Sequence, residues 1–372
     1  MKRLAVLCLV ALGWSCTGQP AARNVTDLHL AELVRSRGVV APAIVVPYRL
    51  SGEMRRWAHE RVPSVLGSDQ ERLLYLTQAL FDPKDFGLIY DNRHTGTAIE
   101  VFDTRRANCL AFTHLFVGMA REVSADVFFL EVRDVETYSR QGDLIVVSDH
   151  VAVGYGPDHA IKVIDFGVSP GEQQYRRVSR ISDYRAIAMY YSNRGAEFLR
   201  EGDAATAQGW LRTAVAIDPG YAASWVNLGV SFRRTGNLDA AEAAYHRALE
   251  VDLRSGSALQ NLAALMNFRG EAEEALDLLA LSDTSENRNP FTYLSLGDLS
   301  MHHGRTEAAG RYYRKALRRR DENAEPLAAM GLWALSQGDH RKAQRLLRKA
   351  EEIDASSKRV SLLRFRLTGA QT

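Results

Sequence analysis

A 34-residue period runs through the second half of this 372-residue chain and restricts its fold more than any other feature. Gly202, Gly236, Gly270, Gly304 and Gly338 recur at that spacing, as do Ala207, Ala241, Ala275, Ala309 and Ala343. A bulky residue keeps the same step at Tyr191, Trp225, Leu259, Tyr293 and Leu327, and all three series predict core or turn positions. A period of about 20–50 residues denotes stacked supersecondary units, and helical periodicity from near Ala186 onward makes each unit a pair of helices. Glycine suits the sharp turn between antiparallel helices, while alanine lets them approach closely. The third copy departs, with Ala263 for the first glycine, Ser282 for the last alanine and a polar stretch at 283–289, so its second helix is expected to end early.

The residues Trp225, Leu228, Gly229, Ala241, Tyr245 and Ala248 at this spacing resemble the tetratricopeptide repeat, over roughly 188–355. The resemblance implies an all-α tetratricopeptide solenoid of five repeats that recruits a protein or peptide. A stacked array needs a polar-faced terminal unit, which residues 359–367 supply within a capping helix and tail at 356–372.

The opposite end of the chain is an address. Lys2 and Arg3 precede an apolar run at 4–14, right for a signal peptide and too short to span a bilayer. Gly13 and Ser15 stand at minus three and minus one of a cut before Cys16. The arrangement resembles a bacterial lipoprotein signal, in which Cys16 is acylated and tethers the chain to a membrane. It departs from the usual pattern in having Gly13 where an aliphatic residue is common, with Leu12 one place earlier, and plain secretion is the alternative. Thr17, rather than an aspartate, implies the periplasmic face of the outer membrane. Removing Lys2 and Arg3 from 47 basic residues leaves 45 against 45 acidic ones, so charge offers no case for nucleic acid.

Of 3 cysteines, two lie in or at the end of the signal, and Cys109 is the one thiol in the body of the chain. An exported protein that keeps an unpaired thiol points to its reactivity, although free cysteine also packs well as a small hydrophobe. Cys109 opens an amphipathic stretch through Leu115, Phe116 and Ala120 to Arg121, read as a helix. Ser51, and Ser68 with Glu71, are capping signals for two earlier helices, and a third runs over 97–105. Residues 39–46 are apolar and β-branched and read as a strand. Beyond the cysteine helix, 127–132, 144–155 and 160–168 read as strands of one antiparallel sheet. If Tyr155 pairs with Ala160 across Gly156-Pro157-Asp158-His159, opposed residue numbers sum to 315 and His150 faces Asp165. A one-residue slip would put the two on opposite faces. Thiol, imidazole and carboxylate in that order are the parts of a nucleophile, its base and the group that orients the base.

Asn108-Cys109-Leu110-Ala111-Phe112, Asp149-His150-Val151-Ala152-Val153 and Val163-Ile164-Asp165-Phe166 together resemble the core of the transglutaminase-like superfamily. The resemblance spans 97–168 and implies an α+β papain-like domain over 51–170, with a cysteine helix packed on an antiparallel sheet. Its catalytic residues would be Cys109, His150 and Asp165, acting on an amide bond by hydrolysis or acyl transfer, with no cofactor or metal. No tryptophan follows Cys109 and no aromatic residue follows His150, as in many members, which leaves substrate and acceptor open. The expected organisation is a signal at 1–15, a tether and leading segment at 16–50, the cysteine domain at 51–170, a linker at 171–187, and the array. The second reading is a non-catalytic scaffold that works through the array alone. His114 falls on another helical face from Cys109, His159 sits in a turn, His302 and His303 have no ligand companion at helical spacing, and Arg318-Arg319-Arg320 closes a repeat helix.

Overall fold

The computed structural model describes residues 25–40, 44–92, 94–141, 144–165, 175, 177–282, 290–318 and 323–369. The signal, Cys16 and the tether to residue 24 lie outside these, as do Phe166, residues 283–289, Arg319 and Arg320.

Helices α1 (Asp27–Ser36), α2 (Gly52–Arg61) and α3 (Asp69–Phe81) start at Thr26, Ser51 and Ser68, whose side chains each accept from a first-turn amide. Such caps satisfy donors that a helix start leaves unpaired. Strand β1 (Ile89–Tyr90), helix α4 (Ala98–Thr104) and strand β2 (Arg106–Ala107) follow, with the two strands paired in parallel. Then comes the cysteine helix α5 (Cys109–Glu122), buried at every position from Leu110 to Ala120. Helices α2, α3 and α4 pack against it, and so do the two central strands of the sheet, so the helix is enclosed on every side rather than along one face as an amphipathic stretch would be, and Thr113 and His114 are buried with its apolar residues. A Cβ on Gly118 would stand 2.5 Å from the Tyr48 carbonyl oxygen, so glycine is what admits that chain crossing.

The sheet comprises β3 (Val127–Gln141), β4 (Leu144–Tyr155), β5 (Lys162–Ile164) and β6 (Val178–Ile181), ordered β5-β4-β3-β6 with antiparallel neighbours. The ladder between β3 and β4 is interrupted by a bulge between Val132 and Glu136. Strand β6 falls where the sequence suggested linker. The described residues of 39–46 form no strand: the Val45 amide donates to Tyr191 Oη at 2.8 Å and the Val46 amide to Asp27 Oδ1 at 2.8 Å. Side chains take the place of a neighbouring strand there.

The register around the β4–β5 turn also differs from expectation. Tyr155 pairs with Lys162 and Val153 with Ile164, so opposed numbers sum to 317 rather than 315. A single 3-10 turn at Asp158–Ala160, closed by the Ala160 amide on the Pro157 carbonyl at 2.8 Å, lengthens the loop by two residues. A slip of two keeps each side chain on its face, so His150 and Asp165 become diagonal neighbours instead of directly opposed ones.

The remainder is helical: α6 (Asp183–Glu201), α7 (Ala204–Ile217), α8 (Ala222–Arg234), α9 (Leu238–Val251), α10 (Gly256–Arg269), α11 (Ala272–Leu281), α12 (Pro290–His302), α13 (Thr306–Arg318), α14 (Ala324–Ser336), α15 (His340–Asp354) and α16 (Lys358–Gly369). Consecutive helices from α6 to α15 pack in five pairs, and α6, α8, α10, α12 and α14 touch in succession to form one continuous layer. Gly236 at an interhelical turn has φ +80°, the left-handed region, and the other four periodic glycines have the same sign. Helix α11 ends after 10 residues against 14 for α9, the early stop that the third copy's departures implied. Of the bulky series, Tyr191, Leu259 and Tyr293 are core residues, while Trp225 and Leu327 are half-buried. Strand β4 lies against α6, α8 and α10, and one hydrophobic core runs from Val25 to Met330.

Candidate active site

Asn108 is the N-cap of α5: its Oδ1 accepts from the Ala111 amide at 2.9 Å, and this places Cys109 on the first helical turn. Thr113, one turn on, has its hydroxyl 2.8 Å from the Cys109 carbonyl oxygen and 3.3 Å from that of Val151, so it fixes the cysteine turn against the strand that carries His150. His150 comes from β4 and Asp165 directly follows β5. Their contact is 2.7 Å, between Nε2 and Oδ2. One ligand atom from each of Cys109, His150 and Asp165 lies within 4.8 Å of the other two. With Nε2 committed to Asp165, Nδ1 is the ring nitrogen left for the thiol. Cys109 and His150 are half-buried and Asp165 is 7% exposed.

Burial is the largest single influence on His150 and pushes its pKa down. The hydrogen bonds to Asp165 and Cys109, together with the negative charge on both, outweigh it and raise the imidazole to about 10. The ring therefore carries its proton at neutral pH, and its positive charge sits beside the sulfur.

Among the described residues two tyrosines join the cluster, and sequence reasoning found neither. Tyr90 Oη stands 4.0 Å from Cys109 Sγ. Burial first, then the neighbouring Cys109 charge, raise its phenol to about 12, and its oxygen stands within reach of the thiol as acceptor. Tyr175 donates its hydroxyl to Asp165 Oδ2, and its ring lies 6.1 Å from that of His150. Burial and the Asp165 hydrogen bond raise its pKa above the usual phenol range. The sequence carried no signal for either, since one lies on a two-residue strand and the other in a stretch read as linker.

Thiol, imidazole and carboxylate at this separation can perform nucleophilic acyl chemistry, and they are also a donor set that a metal ion such as zinc accepts. The other sequence candidates stand apart. His114 is fully buried among Tyr48, Phe129 and Tyr190, and burial, only partly offset by the Ala186 backbone, pushes its pKa down to about 3. His159, His302 and His303 are exposed, and Arg318 is the last residue of α13.

The helix pairs belong to a known class. Residues 198–266 and 292–323 match the tetratricopeptide repeat family, so the helical part of the chain contains tetratricopeptide repeats. The type IV pilus assembly protein PilF of Pseudomonas aeruginosa is 28% identical over 153 residues, which is 41% of this chain and 60% of that protein. The chain thus spans three fifths of the length of that relative. Among solved structures, Pseudomonas aeruginosa PilF is similar at 24% identity and TM-score 0.44, over 50% of this chain and 85% of its own. PilW, described as a widely conserved type IV pilus biogenesis factor, is similar at 16% identity and TM-score 0.43, over 50% of this chain and 86% of its own. Cys109, His150 and Asp165 lie outside the residues that match the repeat family.

Proposed function

We propose that this chain is a protein-interaction scaffold of the bacterial cell envelope, anchored through an acylated Cys16 at the periplasmic face of the outer membrane. The observation that carries the scaffold reading is the continuous layer of α6, α8, α10, α12 and α14, since stacked repeats of this kind present an extended concave surface to a protein or peptide. Strand β4 already lies on α6, α8 and α10, so the partner's footprint extends from there over α12 and α14. Similarity to a type IV pilus assembly protein makes envelope assembly the setting in which to seek that partner. The test is a photo-cross-linking residue placed in the full-length protein, in cells, at Leu332 or Ser336 of α14 and, as a control, at Arg348 of α15. A discrete protein adduct from α14 alone supports the reading; adducts equal at all three positions, or none, contradict it.

A second reading adds chemistry, and the 2.7 Å contact between His150 and Asp165 beside Cys109 favours it. In this reading residues 51–170, together with β6 from the stretch read as linker, are a transglutaminase-like, papain-like cysteine domain, and the array begins with α6. Cys109 Sγ attacks the carbonyl carbon of an amide, His150 passes its proton to the leaving nitrogen as the C–N bond breaks, and a thioester remains. Water or an amine then attacks the thioester carbonyl and gives its proton back to His150, the C–S bond breaks to return the Cys109 thiolate, and the product is the acid or a new amide. Backbone amides at the start of α5 are the natural donors to the oxyanion. An active-site amide probe that labels the wild type and spares Cys109→Ala and His150→Ala supports the chemistry; labelling indifferent to both leaves the scaffold alone.

A further inference from the structure

The N-cap that places Cys109 is itself held from the array. Asn108 uses its Oδ1 on the Ala111 amide, and its Nδ2 donates to Thr95 Oγ1 at 2.8 Å. The Thr95 amide donates in turn to Glu197 Oε1 at 2.6 Å, across a separation of 102 residues. Glu197 lies on α6, the first helix of the array, and is 6% exposed. Its other oxygen is engaged by Arg194, and His94 Nδ1 approaches the same atom at 3.4 Å.

A buried carboxylate is costly to desolvate and gives little net stability even when paired, so packing alone does not account for it. What it supplies is direction. Glu197 fixes the Thr95 backbone, the Thr95 hydroxyl fixes which end of the Asn108 amide faces Ala111, and that amide sets the first turn of α5. We propose that Glu197 is a positioning residue for Cys109, acting through Thr95 and Asn108, so that the first array helix is part of the thiol site. This inference rests on the reading of Cys109 as a reactive thiol. It makes the array a structural element of the site as well as a docking surface, because movement of α6 is transmitted to the sulfur through three hydrogen bonds.

The experiment is iodoacetamide alkylation of the full-length protein against pH, with circular dichroism and thermal unfolding run on every variant. Glu197→Ala is expected to lower the alkylation rate near pH 6.5 on the order of tenfold, as misplacement of a reacting group does. Glu197→Gln, which keeps an acceptor for the Thr95 amide, should restore most of it. Thr95→Val, which keeps the amide and removes the hydroxyl, should reproduce the loss, and it decides the matter if Glu197→Ala does not fold. A wild-type profile in Thr95→Val, or Glu197→Gln as slow as a folded Glu197→Ala, overturns the proposal. His150→Ala run alongside separates the two claims: if it alkylates like the wild type, the reactive-thiol reading falls and this inference with it. If it is slow while the Thr95 and Glu197 variants are normal, only the inference falls.

Discussion

Arg121 donates two hydrogen bonds to Asp183, at 2.6 and 2.9 Å, and so ties the helix that begins at Cys109 to the first residue of the array's first helix. Asp183 is 3% exposed and also accepts from the Tyr48 hydroxyl at 2.9 Å, while the Arg121 guanidinium lies over the rings of Tyr48 and Phe129. Removing one member strands the other as a buried charge, so Asp183→Ala should destabilise the protein by about 3–5 kcal/mol. Because the pair joins the two halves, the loss should appear in probes of both, in urea unfolding followed by circular dichroism and by protection of Cys109. A loss below about 1 kcal/mol, or one confined to the helical signal, would contradict this role.

Thiol reactivity should depend on the imidazolium. Cys109→Ala should abolish alkylation, and at pH 6 His150→Ala should alkylate far more slowly than the wild type, with the gap closing towards pH 10 as free thiols ionise unaided. Asp165→Asn should fall between, since the ring survives without its orienting charge. If amide turnover is found, loss of the base should cost on the order of 10² to 10⁴ in rate. Iodoacetamide rates that coincide for wild type and His150→Ala across the range would falsify the pairing.

The same residue makes stability depend on pH. Burial lowers the His150 pKa, but its two hydrogen-bonding partners outweigh that and hold it at about 10, above the unfolded value of roughly 6.5. The fold prefers the protonated ring, so this stabilisation is complete below about pH 6.5, declines as pH rises, and is gone once pH passes about 10. The difference in unfolding free energy between wild type and His150→Gln should therefore be larger at pH 6 than at pH 10. Equal differences at both would contradict the linkage.

Close approach within the helix pairs gives a compensation test. A Cβ on Gly229 would stand 2.4 Å from Tyr245 Cε1, so Gly229→Ala should cost about 1–3 kcal/mol through overpacking. The third repeat has Ala263 and Leu279 at the corresponding places, so adding Tyr245→Leu should recover part of the loss. Urea midpoints of the single and double variants decide it, and a double variant less stable than the two losses added would count against this account.

The address is tested independently of the fold. Cys16→Ala should remove metabolic lipid labelling and release the protein from the membrane fraction, or leave it as precursor. An unlabelled wild type that fractionates like the variant would favour plain secretion.

The sequence by itself determined the helix pairs, because each repeat meets neighbours of the same shape and so must keep its glycines, alanines and bulky residues at one spacing. It also determined that His150 and Asp165 share a face. The alternation of a strand has period two, and the extra pair of loop residues around Pro157 moved the register without turning either side chain away. Only the tertiary structure decided what surrounds the sulfur. Tyr90, Tyr175 and Glu197 reach the cluster or its support from a two-residue strand, a stretch read as linker and the array, and Glu197 meets a residue 102 positions away. Local periodicity governs which side of an element is apolar. Polar partners joined across such distances follow from how whole elements pack, and no spacing along the chain encodes that.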